Sequence, residues 1–206
     1  MKLRLLALMA VMTLFTACQT VSGTYDRWFG SVPKQKPAEL VEFKAQAALR
    51  IVWQANVGAA GRNVFYPAVV GNTVYASGAS GQIAAFVANS GASQTRFDAM
   101  TPLSGGVGAG AGLILAGTAK GEVLAFEPSG KPAWKTQLTG EVLSPPVGAD
   151  GVVVVRTGDG RVYGLNAADG KQRWVYQRAL PPLALRSSAG VVVHRGAVFA
   201  GFPGGR

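Results

Sequence analysis

Cysteine, histidine and acidic residues are scarce in this chain of 206 residues, which contains one Cys, one His and 10 Asp plus Glu. A structural zinc site needs four nitrogen or sulfur ligands and a disulfide needs two cysteines, so the chain can form neither by itself. The 20 basic residues leave a formal charge of +10, and no acidic residue follows Asp169. Such a surplus suits nucleic acid, an anionic membrane or an acidic protein partner, or it is ordinary solvated surface.

A long hydrophobic run is also missing. The most apolar segment near the amino terminus, Leu5–Phe15, would span about 16 Å as a helix, half of a bilayer core of about 30 Å. This length argues against a permanent transmembrane helix. Lys2 and Arg4 precede the segment and small residues follow it, which is the pattern of an export signal. We therefore expect residues 1–17 to be a signal peptide, and export argues against nucleic acid as the partner.

The single cysteine, Cys18, directly follows this segment in the order Leu14-Phe15-Thr16-Ala17-Cys18. This order resembles the lipobox of bacterial lipoproteins, in which the cysteine is acylated and becomes the first residue of the mature chain. Several acyl chains make a stable membrane anchor where one is marginal. By the same resemblance, Gln19 in place of Asp favours the outer membrane. We predict lipidation of Cys18 at the periplasmic face of that membrane; the alternative is an ordinary signal peptide with an incidental cysteine.

A change of composition separates the next segment from the rest of the chain. Residues 18–45 are polar, lack a sustained hydrophobic period and include Pro33 and Pro37 among lysines, which predicts a tether. Residues 46–206 hold most of the 28 glycines and many short apolar runs. This pattern is typical of many short strands joined by tight turns.

Four segments of this second part repeat one pattern, beginning at Pro67, Val107, Pro146 and Gly190. A repeat of about forty residues is typical of arrays and propellers. In the first three segments an apolar run is followed by a turn at a glycine and by a second run. The turn glycines lie 40, 39 and 44 residues apart: Gly81, Gly121, Gly160 and Gly204.

Each repeat is predicted to form strands, because its apolar runs are rich in β-branched and aromatic residues and are too short for helices. The dipeptides Asp159-Gly160 and Asp169-Gly170 suit turns that require a positive φ. The third run of each unit carries a large aromatic residue, and we expect these side chains to fill the space between neighbouring sheets. They are Phe97, Trp134 and Trp174, with Trp53 before the first unit.

The sequence VYGLNAADGKQRW at Val162–Trp174 is similar to the repeat of pyrroloquinoline-quinone-type propellers. Together with the lipobox, the opening Ile51–Gly58 and the stretch LPPLALRSSAG at Leu180–Gly190, it makes the chain resemble the BamB family of outer-membrane assembly lipoproteins. The resemblance implies an all-β fold, a closed eight-bladed β-propeller. This chain would hold about four blades, the last incomplete. We therefore expect residues 46–206 to form a partial propeller, and the chain to be a fragment or a truncated product.

The resemblance implies a scaffold without catalytic activity, cofactor or metal, which binds BamA in the barrel-assembly complex and assists insertion of unfolded outer-membrane proteins. Two alternatives are a periplasmic quinoprotein dehydrogenase or sensor, and an adhesion or peptidoglycan-associated lipoprotein. Such dehydrogenases need acidic calcium ligands and a catalytic carboxylate. Here Asp150, Asp159 and Asp169 fall in turns, where a carboxylate commonly bonds to the local backbone, and His194 lies in a predicted strand.

The segment Leu180–Ser188 is the predicted partner-binding loop. Pro181-Pro182 removes two backbone donors, so this stretch should project from the sheet rather than lie within it. Beyond it, Leu183 and Leu185 alternate beside Arg186, whose planar guanidinium can bind a carboxylate through two hydrogen bonds. The BamB resemblance implies that these three residues hold BamA. The alternative from chemistry alone is that the leucines fill the space between two blades.

Overall fold

The computed structural model describes residues 38–39, 49–182 and 189–203. The chain divides into two units, Met1–Leu49 and Arg50–Arg206, and all described strands belong to the second. The predicted signal peptide and nearly all of the predicted tether lie outside the described residues. Within the part that is described, no helix has the length and apolar character needed to cross a membrane.

The second unit is built from four-stranded antiparallel blades, as the repeat predicts. Each complete blade follows chain order from its inner to its outer strand. The first has β1 (Ala68–Val70), β2 (Thr73–Ser77), β3 (Gln82–Val87) and β4 (Ser93–Asp98); the second β5 (Val107–Gly110), β6 (Leu113–Gly117), β7 (Glu122–Phe126) and β8 (Pro132–Gln137); the third β9 (Val147–Ala149), β10 (Val152–Arg156), β11 (Arg161–Asn166) and β12 (Gln172–Gln177). A hairpin of β13 (Val191–His194) and β14 (Ala197–Ala200) follows.

The inner strands of the second and third blades touch through their backbones. β5 and β9 run parallel and are paired at Gly110 and Gly148. A Cβ atom on Gly110 would lie 2.0 Å from the carbonyl oxygen of Gly148, and one on Gly108 would lie 1.7 Å from that of Pro146. Glycine is therefore required on β5 because no side chain fits between the blades at this point.

The core lies between the blades. The second and third strands of the second and third blades are largely buried, and so is β3 of the first blade, whereas β2 is only half-buried. Leu115 and Val123 of the second blade pack with Val153, Val155 and Leu165 of the third. Burial of each such side chain contributes about 1.5–3 kcal/mol.

The aromatic residues confirm the packing role in part. Trp53 and Trp134 are half-buried and pack against apolar clusters of the following blade. Phe97, however, does not stand at the tryptophan position. Trp134 pairs with Ala125, the fourth residue of β7. In the first blade the fourth residue of β3 is Ala85, and its partner is Thr95.

Phe97 lies two residues further along β4, on the same face, and packs on Phe126 with 5.0 Å between the ring centroids. Trp174 occupies the tryptophan position of the third blade but is 37% exposed. The expectation that every tryptophan is a core residue is therefore wrong for Trp174. The reason is that the described hairpin β13–β14 does not cover the outer strand β12, all six residues of which are exposed.

Candidate functional site

The predicted partner-binding loop is described only at its two ends. Leu180, Pro181 and Pro182 precede the gap, and the chain resumes at Ala189. Leu183, Leu185 and Arg186, as well as the predicted lipidation site Cys18, lie outside the described residues. The structure describes the residues from which the loop begins and those to which it returns.

The first end of the loop is fixed to the third blade. The backbone N–H of Arg178 donates to the carbonyl oxygen of Gly160 at 3.0 Å, and the Leu180 side chain packs beside the same glycine. Gly160 has a φ of 85°, as predicted for the Asp159-Gly160 turn. Pro181 and Pro182 follow outside any strand and are exposed. The prediction that the two prolines do not lie within a central strand is confirmed.

The second end of the loop is held by a buried arginine. Arg156, at the end of β10, is 7% exposed, and its Nη1 donates to the carbonyl oxygen of Ala189 at 2.7 Å. Its guanidinium carbon lies 5.4 Å from the centroid of the Phe202 ring, within the range of a cation–π contact. Burial lowers the pKa of Arg156, but an arginine stays charged in a protein.

Arg178 brings a second positive charge to the same place. Its guanidinium carbon lies 5.9 Å from the centroid of Phe202, so two arginines face one ring beside the loop ends. Asp159, which precedes the glycine that holds Arg178, pairs with Arg161. The loop therefore begins and ends in a positive environment, which favours an acidic partner surface.

Sequence reasoning missed Arg156. The signal was its position as the one charged residue at the end of the apolar run VVVVR in β10. A charged side chain in such a buried strand needs a partner. Its partner is a backbone carbonyl 33 residues further along the chain, and no local pattern reveals such a contact.

Two of the acidic turn residues, Asp159 and Asp169, make local contacts. Asp169 accepts a hydrogen bond from the Lys171 backbone N–H at 3.1 Å, as predicted, and this bond lowers the pKa of Asp169. Asp159 departs from the prediction, because it bonds to the side chains of Thr157 and Arg161 rather than to backbone. His194 is exposed at the end of β13. In the described ranges, no three His, Cys, Asp or Glu side chains come together as a metal site.

Comparison with known proteins places this architecture in a family. Residues 79–206 match the family model described as outer membrane protein assembly factor BamB. The chain is similar to the BamB of Nitrosomonas eutropha, with 46% identity over 169 residues, which are 82% of this chain and 41% of that protein. It is also similar to the BamB of Burkholderia pseudomallei, with 40% identity over 197 residues, or 95% and 49% of the two chains.

Among solved structures, the crystal structure of BamB from Moraxella catarrhalis has a TM-score of 0.59 at 23% identity, covering 65% of this chain and 41% of that one. This likeness confirms the all-β propeller fold. The chain spans less than half the length of the two curated relatives. On the family model and the two relatives together, the chain belongs to the BamB family of outer membrane protein assembly factors.

Proposed function

We propose that this chain acts as a non-catalytic scaffold in outer-membrane protein assembly, anchored through Cys18 to the periplasmic face of the outer membrane. The observation that carries the proposal is the match of residues 79–206 to the BamB family, since this range includes the complete second and third blades and the partner-binding loop. In this role the chain binds BamA and helps unfolded outer-membrane proteins to insert. Its blades hold both described ends of the partner-binding loop, and loops carried by a folded scaffold are common at binding sites.

The binding residues in this proposal are Leu183, Leu185 and Arg186. The described ends of the loop support it, because Pro181 and Pro182 are exposed while Arg156 and the Gly160 carbonyl fix the chain on either side. A loop held at both ends loses less conformational entropy on binding than a free one. Two leucines can then fill a pocket on BamA while Arg186 binds a carboxylate.

The test is direct binding of BamA to the lipid-free chain with and without the double substitution Leu183→Ala, Arg186→Ala. Loss of a buried charge pair costs about 2 kcal/mol or more, or roughly thirtyfold in Kd. A control with Arg173→Ala removes the same charge from exposed strand β12, where the side chain bonds to Asn166, and should bind like the parent chain. Unchanged affinity in the double variant, with circular dichroism showing intact strands, would defeat the assignment.

A further inference from the structure

Met100 is an exposed methionine on the connection between the first and second blades. It follows β4 and is 88% exposed. Its φ is 57°, a left-handed conformation that few residues other than glycine adopt. The Asp98 carboxylate stabilises this conformation, because its Oδ1 accepts a hydrogen bond from the Met100 backbone N–H at 2.7 Å. The apolar side chain is therefore presented to solvent by a hydrogen-bonded turn.

A second bond attaches this connection to the first blade. The Ala99 backbone N–H donates to the carbonyl oxygen of Gly81 at 2.9 Å. A Cβ atom on Gly81 would be 2.7 Å from Asp98 Oδ1 and 2.8 Å from the Thr101 carbonyl oxygen. The residues on both sides of Met100 thus pack directly on this glycine. A side chain on such a connection loses less conformational entropy on binding than one on a free loop.

The bond to the turn glycine recurs at the next two connections. The backbone N–H of Leu138 donates to the Gly121 carbonyl oxygen at 2.9 Å, and that of Arg178 donates to the Gly160 carbonyl oxygen at 3.0 Å. In each blade the bond joins the residue after the outer strand to the glycine between the second and third strands. One exposed residue follows each donor, and we call these three residues the connection row: Met100, Thr139 and Ala179.

The connection row lies at the same end of the blades as the partner-binding loop. Strands within a blade are antiparallel, so the connections between blades share one end with the turns between second and third strands. The partner-binding loop belongs to the third of these connections and begins directly after Ala179. In the middle of the row, the Thr139 hydroxyl is hydrogen-bonded to the Tyr163 hydroxyl at 2.6 Å. The row therefore leads from Met100 across three blades to the loop.

The dimensions and charge of the connection row suit one protein partner. Packed sheets lie about 10 Å apart and blades diverge outwards, so Met100 and Ala179 are separated by roughly 20–30 Å. A standard interface buries about 800 Å² on each partner, a patch roughly 30 Å across. Basic residues lie at the same end, among them the exposed Lys120 in the turn of the second blade and the half-buried Arg178. A partner surface that covers the row should therefore be acidic.

We propose that the connection row binds the same partner as the partner-binding loop, with Met100 inserted into an apolar pocket of an acidic protein surface. The proposal rests on the proposed function, because it extends the contact with BamA from the third blade to the first. Methionine suits this role, since its flexible thioether side chain fills irregular apolar pockets and is enriched at protein interfaces. Lys120 and Arg178 then face carboxylates that border the pocket.

The test measures the binding of purified BamA to the lipid-free full chain with Met100→Glu. The glutamate removes the apolar anchor and opposes an acidic surface, so we expect Kd to rise about tenfold or more, as when an interface anchor is lost. The matched control is Ala111→Glu. Ala111 is exposed, has a φ of 51° and lies in the turn between β5 and β6, at the opposite end of the blade. This control and the conservative variant Met100→Leu should both bind like the parent chain.

A photoreactive amino acid, p-benzoylphenylalanine, at position 100 gives a second measurement that does not depend on a loss of affinity. It should cross-link to purified BamA, and the double substitution Leu183→Ala, Arg186→Ala should reduce the product. The same amino acid at position 111 should give no cross-link to BamA.

Two outcomes separate this proposal from the proposed function. If BamA loses affinity for the double variant but binds Met100→Glu as tightly as Ala111→Glu, the connection row is not part of the interface and only this proposal is overturned. If Met100→Glu weakens binding and the double variant does not, the row is supported and the assignment of the loop residues is defeated. Cross-linking at position 100 between two copies of the chain, without BamA, would also overturn the proposal, because the row would then join copies.

Discussion

Arg156 and Ala189 are joined by a hydrogen bond of 2.7 Å between the guanidinium Nη1 and the backbone carbonyl. This bond connects the end of β10 to the residue at which the chain returns from the partner-binding loop. It also explains how a side chain that is 7% exposed keeps its charge, together with the ring of Phe202. Among the described residues, the buried Nε of Arg156 has no hydrogen-bond partner.

Replacement of Arg156 by methionine should lower the stability of the third blade and loosen the attachment of the partner-binding loop. Methionine keeps the apolar stem but removes the donor to Ala189, and loss of a charged hydrogen bond costs about 1.5–3 kcal/mol. Chemical denaturation should show this loss, and trypsin should cleave after Arg186 faster than in the parent chain. Arg173→Met is the control, since Arg173 is exposed on β12. Equal cleavage rates and equal midpoints for both variants would contradict the role given to Arg156.

Gly170 and Gly151 offer a matched pair for testing how Trp134 of the second blade packs on the third, where its Nε1 donates to the carbonyl oxygen of Ala167 at 2.8 Å. Their φ angles are 71° and 72°, so alanine should cost about 1–2 kcal/mol at either position from backbone strain alone. Only Gly170 lies under an indole; no atom lies within 4 Å of a Cβ on Gly151. Gly170→Ala should therefore lose a further 1–3 kcal/mol, about the cost of overpacking. Urea denaturation of both variants measures the difference, and equal losses would show that Trp134 does not need the glycine.

Lipidation is predicted at Cys18. Mass spectrometry of the mature protein should find an acylated Cys18 as its first residue, and the protein should sediment with membranes. Cys18→Ala should release it into the soluble fraction, because no acyl chains then bury methylene groups in the bilayer at about 0.8 kcal/mol each. An unmodified cysteine in a soluble mature protein would contradict the anchor.

Much of the fold could be predicted because its signals are local. The period of about forty residues, the β-branched runs and the turn glycines are all visible in the repeats, and the runs on either side of Gly81, Gly121 and Gly160 form strands. Phe97 was misplaced because the first repeat has Thr95 rather than an aromatic residue at the tryptophan position, and Phe97 is the large aromatic residue that follows it on β4. The exposure of Trp174 arises because the hairpin of β13 and β14 leaves β12 uncovered, which composition cannot reveal.

The candidate site was predictable in kind rather than in detail. The proline pair predicts a projecting loop from the sequence alone, because the missing N–H groups are a property of the residues themselves. The contacts of Arg156 with Ala189 and Phe202 join residues 33 or more positions apart, so only the folded chain brings them together. The role of Leu183, Leu185 and Arg186 stays a prediction.

The glycine contact between β5 and β9 also affects the positions of the outer strands of the two blades. The outer strands lie three strand spacings away, about 14 Å at about 4.8 Å each. A side chain at Gly110 would wedge the inner strands apart at Gly148 and tilt one blade against the next. The distance from Trp134 to Ala167 would change with that tilt. The glycines of the inner strands and the tryptophans of the outer strands therefore together set the angle between neighbouring blades. A substitution at one of these positions should be tolerated only with a compensating substitution at the other.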